Sequence, residues 1–300
     1  MPPPRLFQAY VMVDWSASSK PVTGPDSIWI GVLKRNVRFQ MAFEAHNPAT
    51  RAAAETLLGD ILSDLRRKRE RVLVGFDFPL GFPRGTAAAL KLSGAAAWRQ
   101  VLDFVSKELK DKPTNENNRF QVGAKMNRLM TGEAFPFWGA PQRDAQTMLS
   151  VKRVREHGPG DLPEFRLAEE AVKGPSSIWK LYYQGSVGGQ ALTGMPVVSR
   201  IRTAHGERAR IWPFETGWKP LAPIDLEGVD AVFAEIYPSL FAGKAGAGQV
   251  KDEVQVRAVC DRFNALDEKG QLGALFGPAK ADPRRDAVEG EEGWILGASP

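Results

Sequence analysis

Apolar runs that stop abruptly at an acid set the pattern of the first part of the chain. Gln8-Ala9-Tyr10-Val11-Met12-Val13-Asp14 is the first, followed by the mostly polar Trp15-Ser16-Ala17-Ser18-Ser19-Lys20-Pro21. It reads as a buried strand feeding a loop. Ser27 to Leu33 and Val37 to Phe43 read as two further strands joined by a short turn at Lys34-Arg35-Asn36, so the first three strands are expected to form an antiparallel meander. From Pro48 the period changes. Ala53, Leu57, Leu58, Ile61, Leu62 and Leu65 recur at helical spacing, and the basic cluster Arg66-Arg67-Lys68-Arg69 ends that helix where cations complement the dipole. Arg71 to Asp77 is another buried strand ending in an acid, and Phe78-Pro79-Leu80-Gly81-Phe82-Pro83 follows it.

Between Arg84 and Asp230 the periodicity dissolves into helical pieces and Gly/Pro/aromatic stretches such as Phe135-Pro136-Phe137-Trp138-Gly139-Ala140-Pro141. We read this segment as an insertion. Ala231 to Pro238 then reads as a strand with Glu235 near its end, Asp252 to Leu266 as a helix, and Arg284 to Leu296 as a last helix. On that last helix positions 286, 290, 293 and 297 would share one face and hold Asp, Gly, Gly and Gly. Glycine costs about 1 kcal/mol in a helix interior, so the stripe suggests a face pressed on the sheet, with Asp286 brought towards Asp14.

Carboxylates at the ends of neighbouring strands repel one another unless a cation neutralises them. Asp14, Asp77, Glu235 and Asp286 therefore form a candidate acidic site, placed where ligand sites of α/β sheets gather. Oxygen ligands without nearby histidines favour Mg²⁺ or Mn²⁺ over zinc. Cys260 is the single cysteine, which excludes an intrachain disulfide and a cysteine-based zinc site. The start of the chain lacks the basic-then-apolar run of a signal peptide, and no stretch approaches about 18 uninterrupted apolar residues. A cytoplasmic protein with no membrane-spanning segment is expected.

The order strand, strand, strand, helix, strand, then a later strand and helix, with acids on the first strand, the fourth strand and the last helix, resembles the ribonuclease H-like fold. Val13-Asp14-Trp15-Ser16-Ala17, Gly75-Phe76-Asp77-Phe78-Pro79-Leu80-Gly81-Phe82-Pro83, Ala234-Glu235-Ile236-Tyr237-Pro238 and Arg285-Asp286-Ala287 are similar to motifs of a predicted-nuclease family labelled domain of unknown function 429. The Asp-Phe-Pro-Leu-Gly-Phe-Pro run is the most specific of them. The resemblance implies an α/β protein: a ribonuclease H-like mixed sheet flanked by helices, with a core of residues 8–83 and 231–298. The insertion at 84–230, between the fourth and fifth core strands, would cover the active site. It implies that Asp14, Asp77, Glu235 and Asp286 hold one or two Mg²⁺ or Mn²⁺ ions and that the protein hydrolyses phosphodiesters. Two other readings suit the same residues. One is an actin-like phosphotransferase, in which Asp14 to Ser18 form a phosphate loop; the other is a non-catalytic binding or biosynthetic accessory protein.

Charge adds one refinement. The chain has 40 Lys/Arg and 35 Asp/Glu, and residues 112–215 alone carry 15 against 10, so the whole excess sits in the insertion. Nucleic acid or a phosphorylated small molecule is the expected partner. Candidate substrate contacts are Ser16 beside the first acid, Lys125, Arg128 and Lys180 in the insertion, and Ser186 in the loop Gln184-Gly185-Ser186-Val187-Gly188-Gly189-Gln190. That loop can expose backbone N–H groups to a phosphate without matching a defined phosphate-binding motif. Asn127 and Arg200 are further polar candidates. Trp212-Pro213-Phe214-Glu215-Thr216-Gly217-Trp218 reads as a packed loop rather than a base-stacking platform.

Overall fold

The computed structural model describes residues 3–172, 174, 176–241, 245–246 and 248–299. The chain runs β1 (Ala9–Asp14), β2 (Trp29–Arg35), β3 (Met41–His46), α1 (Arg51–Arg67), β4 (Val72–Phe76), the single turn α2 (Thr86–Ala89), α3 (Ala97–Glu108) and α4 (Arg119–Met130). It continues with the single turn α5 (Leu167–Glu170), α6 (Gly188–His205), β5 (Ala209–Ile211), β6 (Ala231–Glu235), α7 (Lys251–Glu268) and the short α8 (Arg285–Ala287). Six strands form one mixed sheet in the order β3-β2-β1-β4-β6-β5. β1, β2 and β3 pair antiparallel, whereas β1, β4, β6 and β5 run parallel to one another. Helices cover both faces, as the near-continuous apolar runs of β1, β4 and β6 require.

Each layer follows from local pattern. Thr50 caps α1 by accepting from the Ala53 amide at 3.2 Å, and Ala54, Leu58, Ile61, Leu62 and Leu65 put one apolar stripe onto the sheet. α3 adds Trp98, Val101, Leu102 and Val105, and the largely buried α6 completes that face. On the other face Val256, Val259, Cys260 and Phe263 of α7 pack with Met12, Leu33 and Ile236 of the sheet region. No helix among the described residues is long and apolar enough to cross a membrane.

Three features depart from the sequence reading. The β2–β3 connection is the five-residue turn Asn36 to Gln40, with Phe39 at φ +58, so Val37 and Phe39 are exposed rather than in a strand. The segment 84–230 is not separate from the sheet: it contributes the edge strand β5, and its helices α3 and α6 bury the same face as α1. The last helix, expected over Arg284 to Leu296, is only α8 followed by one wide turn from Val288 to Glu292. Gly293 at φ +71 ends it, and Leu296 then bonds back to Glu235.

That ending explains the Phe-Pro-Leu-Gly-Phe-Pro run. Phe78 and Phe82 are fully buried, and Phe82 donates its amide to the Glu291 carbonyl at 3.2 Å. A Cβ on Gly81 would stand 2.4 Å from the same carbonyl oxygen, so only glycine admits the C-terminal turn this close. The Glu291 side chain accepts from the amides of Gly85 and Ala87, and that of Glu292 from Arg84 and Leu167. The most specific motif of the sequence thus serves to dock the end of the chain.

Candidate active site

Parallel pairing puts three acids at one end of three adjacent strands. Val13 is level with Phe76 and Phe76 with Glu235, so Asp14 and Asp77 end β1 and β4 side by side, and Glu235 ends β6 one residue short of them. All three line one cavity of about 1090 Å³ at the carboxyl end of the sheet, the position where open α/β sheets hold ligands. The loop 15–20 forms one wall, the first turn of α7 another, and residues 119–120 and 181–190 a third.

Asp14 and Asp77 form the floor. Asp77 Oδ1 accepts the Trp15 amide at 2.7 Å, and Gln190 Nε2 donates to the Trp15 carbonyl at 2.6 Å and lies 3.4 Å from Asp77 Oδ2. The two carboxyls face the same cavity, and each raises the cost of ionising the other. Burial first, and then the negative charges of Asp77 and Asp252, hold Asp14 well above the usual carboxylate range. Burial pushes Asp77 up to about 7, although the bond from the Trp15 amide pulls the other way. Asp252, in the first turn of α7, is the third acid of this group. It accepts the Asp26 amide at 2.8 Å, and its pKa is raised chiefly by burial.

Glu235 is held differently. Arg166, with no exposed surface, clamps it bidentately at 2.6 and 2.8 Å, and Leu80 donates its amide at 3.3 Å. The same guanidinium also bonds Glu169 and the Glu292 carbonyl. Burial raises the Glu235 pKa while Arg166 opposes that rise. Both oxygens being committed to Arg166, Glu235 is an anchor beneath the cavity and not a free ligand.

The other expected residues divide. Ser16 and Ser186 line the cavity. Asp286 does not: it is exposed on α8, because the helix that would have carried it to Asp14 stops after one turn. Asp252 stands where Asp286 was expected. Lys125 pairs with Glu108 at 2.7 Å, Arg128 is exposed on α4, and Lys180 donates to the Gln184 carbonyl at 2.7 Å; all three lie outside the cavity lining. Arg200 pairs with Glu55, and Asn127 is buried, tying Phe137 and Met148 to α4. Trp212 and Trp218 are fully buried, and the aromatics at the cavity rim are instead the exposed Tyr182 and Tyr183.

Among the described residues no three His, Cys, Asp or Glu side chains converge closely enough to chelate a single ion. The donor set is compatible with Mg²⁺ or Mn²⁺ in a narrower sense. Mg²⁺ is commonly held by one or two carboxylates and completed by water and substrate phosphates, and Asp14 and Asp77 supply that number. Comparison with known proteins returned no matching family model, no similar curated protein and no similar solved structure.

Proposed function

We propose that this protein is a ribonuclease H-like, Mg²⁺- or Mn²⁺-dependent phosphoester hydrolase whose ion is held by Asp14 and Asp77. The observation that carries the reading is the Asp14–Asp77 pair. Two half-buried carboxyls at adjacent strand ends in one cavity, with Asp252 adding repulsion and no arginine or lysine within 4.0 Å of either among the described residues, form a site that a divalent cation would neutralise. The strand order and the acids on β1 and β4 support the resemblance to the predicted-nuclease family. The ion, when bound, would polarise a phosphoryl oxygen and lower the pKa of a bound water.

The chain's own residues do the rest. The Trp15 amide fixes the Asp77 carboxylate, Gln190 holds the loop after β1, and the Arg166–Glu235 clamp keeps the β6 end and the Leu80 loop in register beneath the floor. A cavity of about 1090 Å³ rimmed by Tyr182 and Tyr183 suits a phosphorylated small molecule with a planar group, such as a nucleotide, better than a duplex.

The test compares wild type with Asp14→Asn in thermal melts with and without Mn²⁺, alongside turnover of a generic phosphodiester and a phosphomonoester. At a hundredfold excess over Kd, Mn²⁺ should stabilise wild type by about 2.7 kcal/mol. The variant should lose turnover and most of that gain, and without metal it should melt no lower than wild type. Equal Mn²⁺ shifts in the two proteins would remove Asp14 from the site and favour a non-catalytic binding protein.

A further inference from the structure

Arg119 opens α4 and lines the cavity, yet it is only 4% exposed. A buried guanidinium is normally matched by a carboxylate, because an unpaired buried charge costs several kcal/mol. Arg119 has no such match: among the described residues no Asp or Glu oxygen lies within 4.0 Å of it. Its Nη1 donates to Ser19 Oγ at 3.0 Å and Asn117 Oδ1 at 3.1 Å, both neutral, and its Nε is buried without any acceptor. Asp111 and Asp144 attract it from farther away, but each is already paired, with Arg51 and Arg143 respectively.

The unpaired Nε faces a second positive feature. A Cβ on Gly189 would lie 3.4 Å from it, so the guanidinium rests against the first turn of the 18-residue helix α6. The Gly188 amide is used by the Lys180 carbonyl, whereas those of Gly189 and Gln190 have no acceptor among the described residues. Helix N-termini carry partial positive charge and free N–H groups. An arginine without a carboxylate therefore stands against a positive helix end, with the Arg51 charge adding repulsion. The Phe120 ring, 4.3 Å from the Arg119 guanidinium carbon, offsets part of that charge, but among the described residues no anion pairs with it. The Gln190 side chain, on the same turn, lies 3.4 Å from Asp77, so this wall adjoins the acidic floor.

We propose that Arg119 and the first turn of α6 form a subsite for a phosphate group of the substrate. This deepens the function proposed above, since it names what the cavity wall binds, but it does not require the metal. A guanidinium and the free backbone amides of a helix N-terminus are donors that a phosphate's oxygens accept from. The substrate is then a phosphorylated small molecule whose phosphate sits on this wall while the ion site lies beside Asp77.

Calorimetric titration of inorganic phosphate into the metal-free full chain, with EDTA present, tests it. Wild type should bind phosphate, Arg119→Met should weaken binding at least tenfold, and Asp286→Asn, exposed and outside the cavity, should bind as wild type does. Without phosphate, R119M should melt no lower than wild type, because it removes an unmatched buried charge while keeping the stem's bulk. If circular dichroism shows R119M unfolded, R119K takes its place: it keeps the charge and loses the fork, and a several-fold weakening is expected. Absence of phosphate binding by wild type, or unchanged affinity in the folded Arg119 variant, would overturn the subsite. The Mn²⁺ melts decide the metal reading separately, so failure of one leaves the other standing.

Discussion

The ends of β4 and β6 carry acids on adjacent strands, offset by one residue because Glu235 is level with Phe76, and the protein treats them oppositely. Asp77 lies beside Asp14 at the cavity with no arginine or lysine within 4.0 Å among the described residues; Glu235 has both oxygens on a fully buried arginine. Position at a strand end is common to both. What separates them is the residue that arrives from elsewhere in the chain: Gln190 beside Asp77, Arg166 beside Glu235. A carboxylate that has been given its cation by the fold is structural, and one that has not is available to bind something.

The contrast between the two acids is measurable. The largest effect is expected from Arg166→Met, which strands Glu235 and Glu169 in the interior. Loss of one partner of a buried ion pair costs about 3–5 kcal/mol, so urea unfolding should show a loss of that size. Adding Glu235→Gln to R166M should recover part of it. A loss below about 1 kcal/mol would mean that the clamp does not distinguish β6 from β4.

A smaller effect is expected from pH. Asp14 and Asp77 have raised pKa values in the folded protein, so over the interval between the ordinary value of 3.8 and about 7 the folded state holds more protons than the unfolded one. Stability without metal is then greatest at the acid end and falls as pH rises through about 7, by up to about 1.4 kcal/mol per pH unit for each excess proton. Melts from pH 4.5 to 8 in EDTA should show this slope, and D77N should flatten it. A wild-type slope of the opposite sign would contradict the raised pKa values of Asp14 and Asp77.

The smallest effect is expected from Asp286→Asn. Exposed on α8 and outside the cavity, this residue should change stability by less than about 0.5 kcal/mol and leave the Mn²⁺-induced shift intact. A lost metal response in D286N would place it in the site after all.

Legibility from sequence followed the range of the interactions. α1 and α7 were readable because stripes such as Leu58, Ile61, Leu62 and Leu65 are local patterns with a fixed period. β1, β4 and β6 were readable because strands buried on both faces are nearly continuous apolar runs. The acids that follow them were visible for the same reason. The β2–β3 turn was misplaced because Val37 and Phe39 are apolar without being buried, and hydrophobicity alone does not say where a hairpin bends.

Local pattern along the chain is enough to place the sheet's central strands, the helices with clear stripes, and Asp14 and Asp77 at two strand ends. Packing in three dimensions brings Asp252, and not Asp286, to the same cavity, gives Glu235 to Arg166, and buries Arg119 against α6 with no carboxylate partner among the described residues. The physical reason is that charge compensation depends on what stands opposite each group in space. Arg166 and Glu235 are 69 positions apart, and Asp14 and Asp252 farther still. No local spacing encodes such a meeting, and the steric demand of Gly81 that turns the chain at Glu291 and Glu292 exists only once the strands have paired.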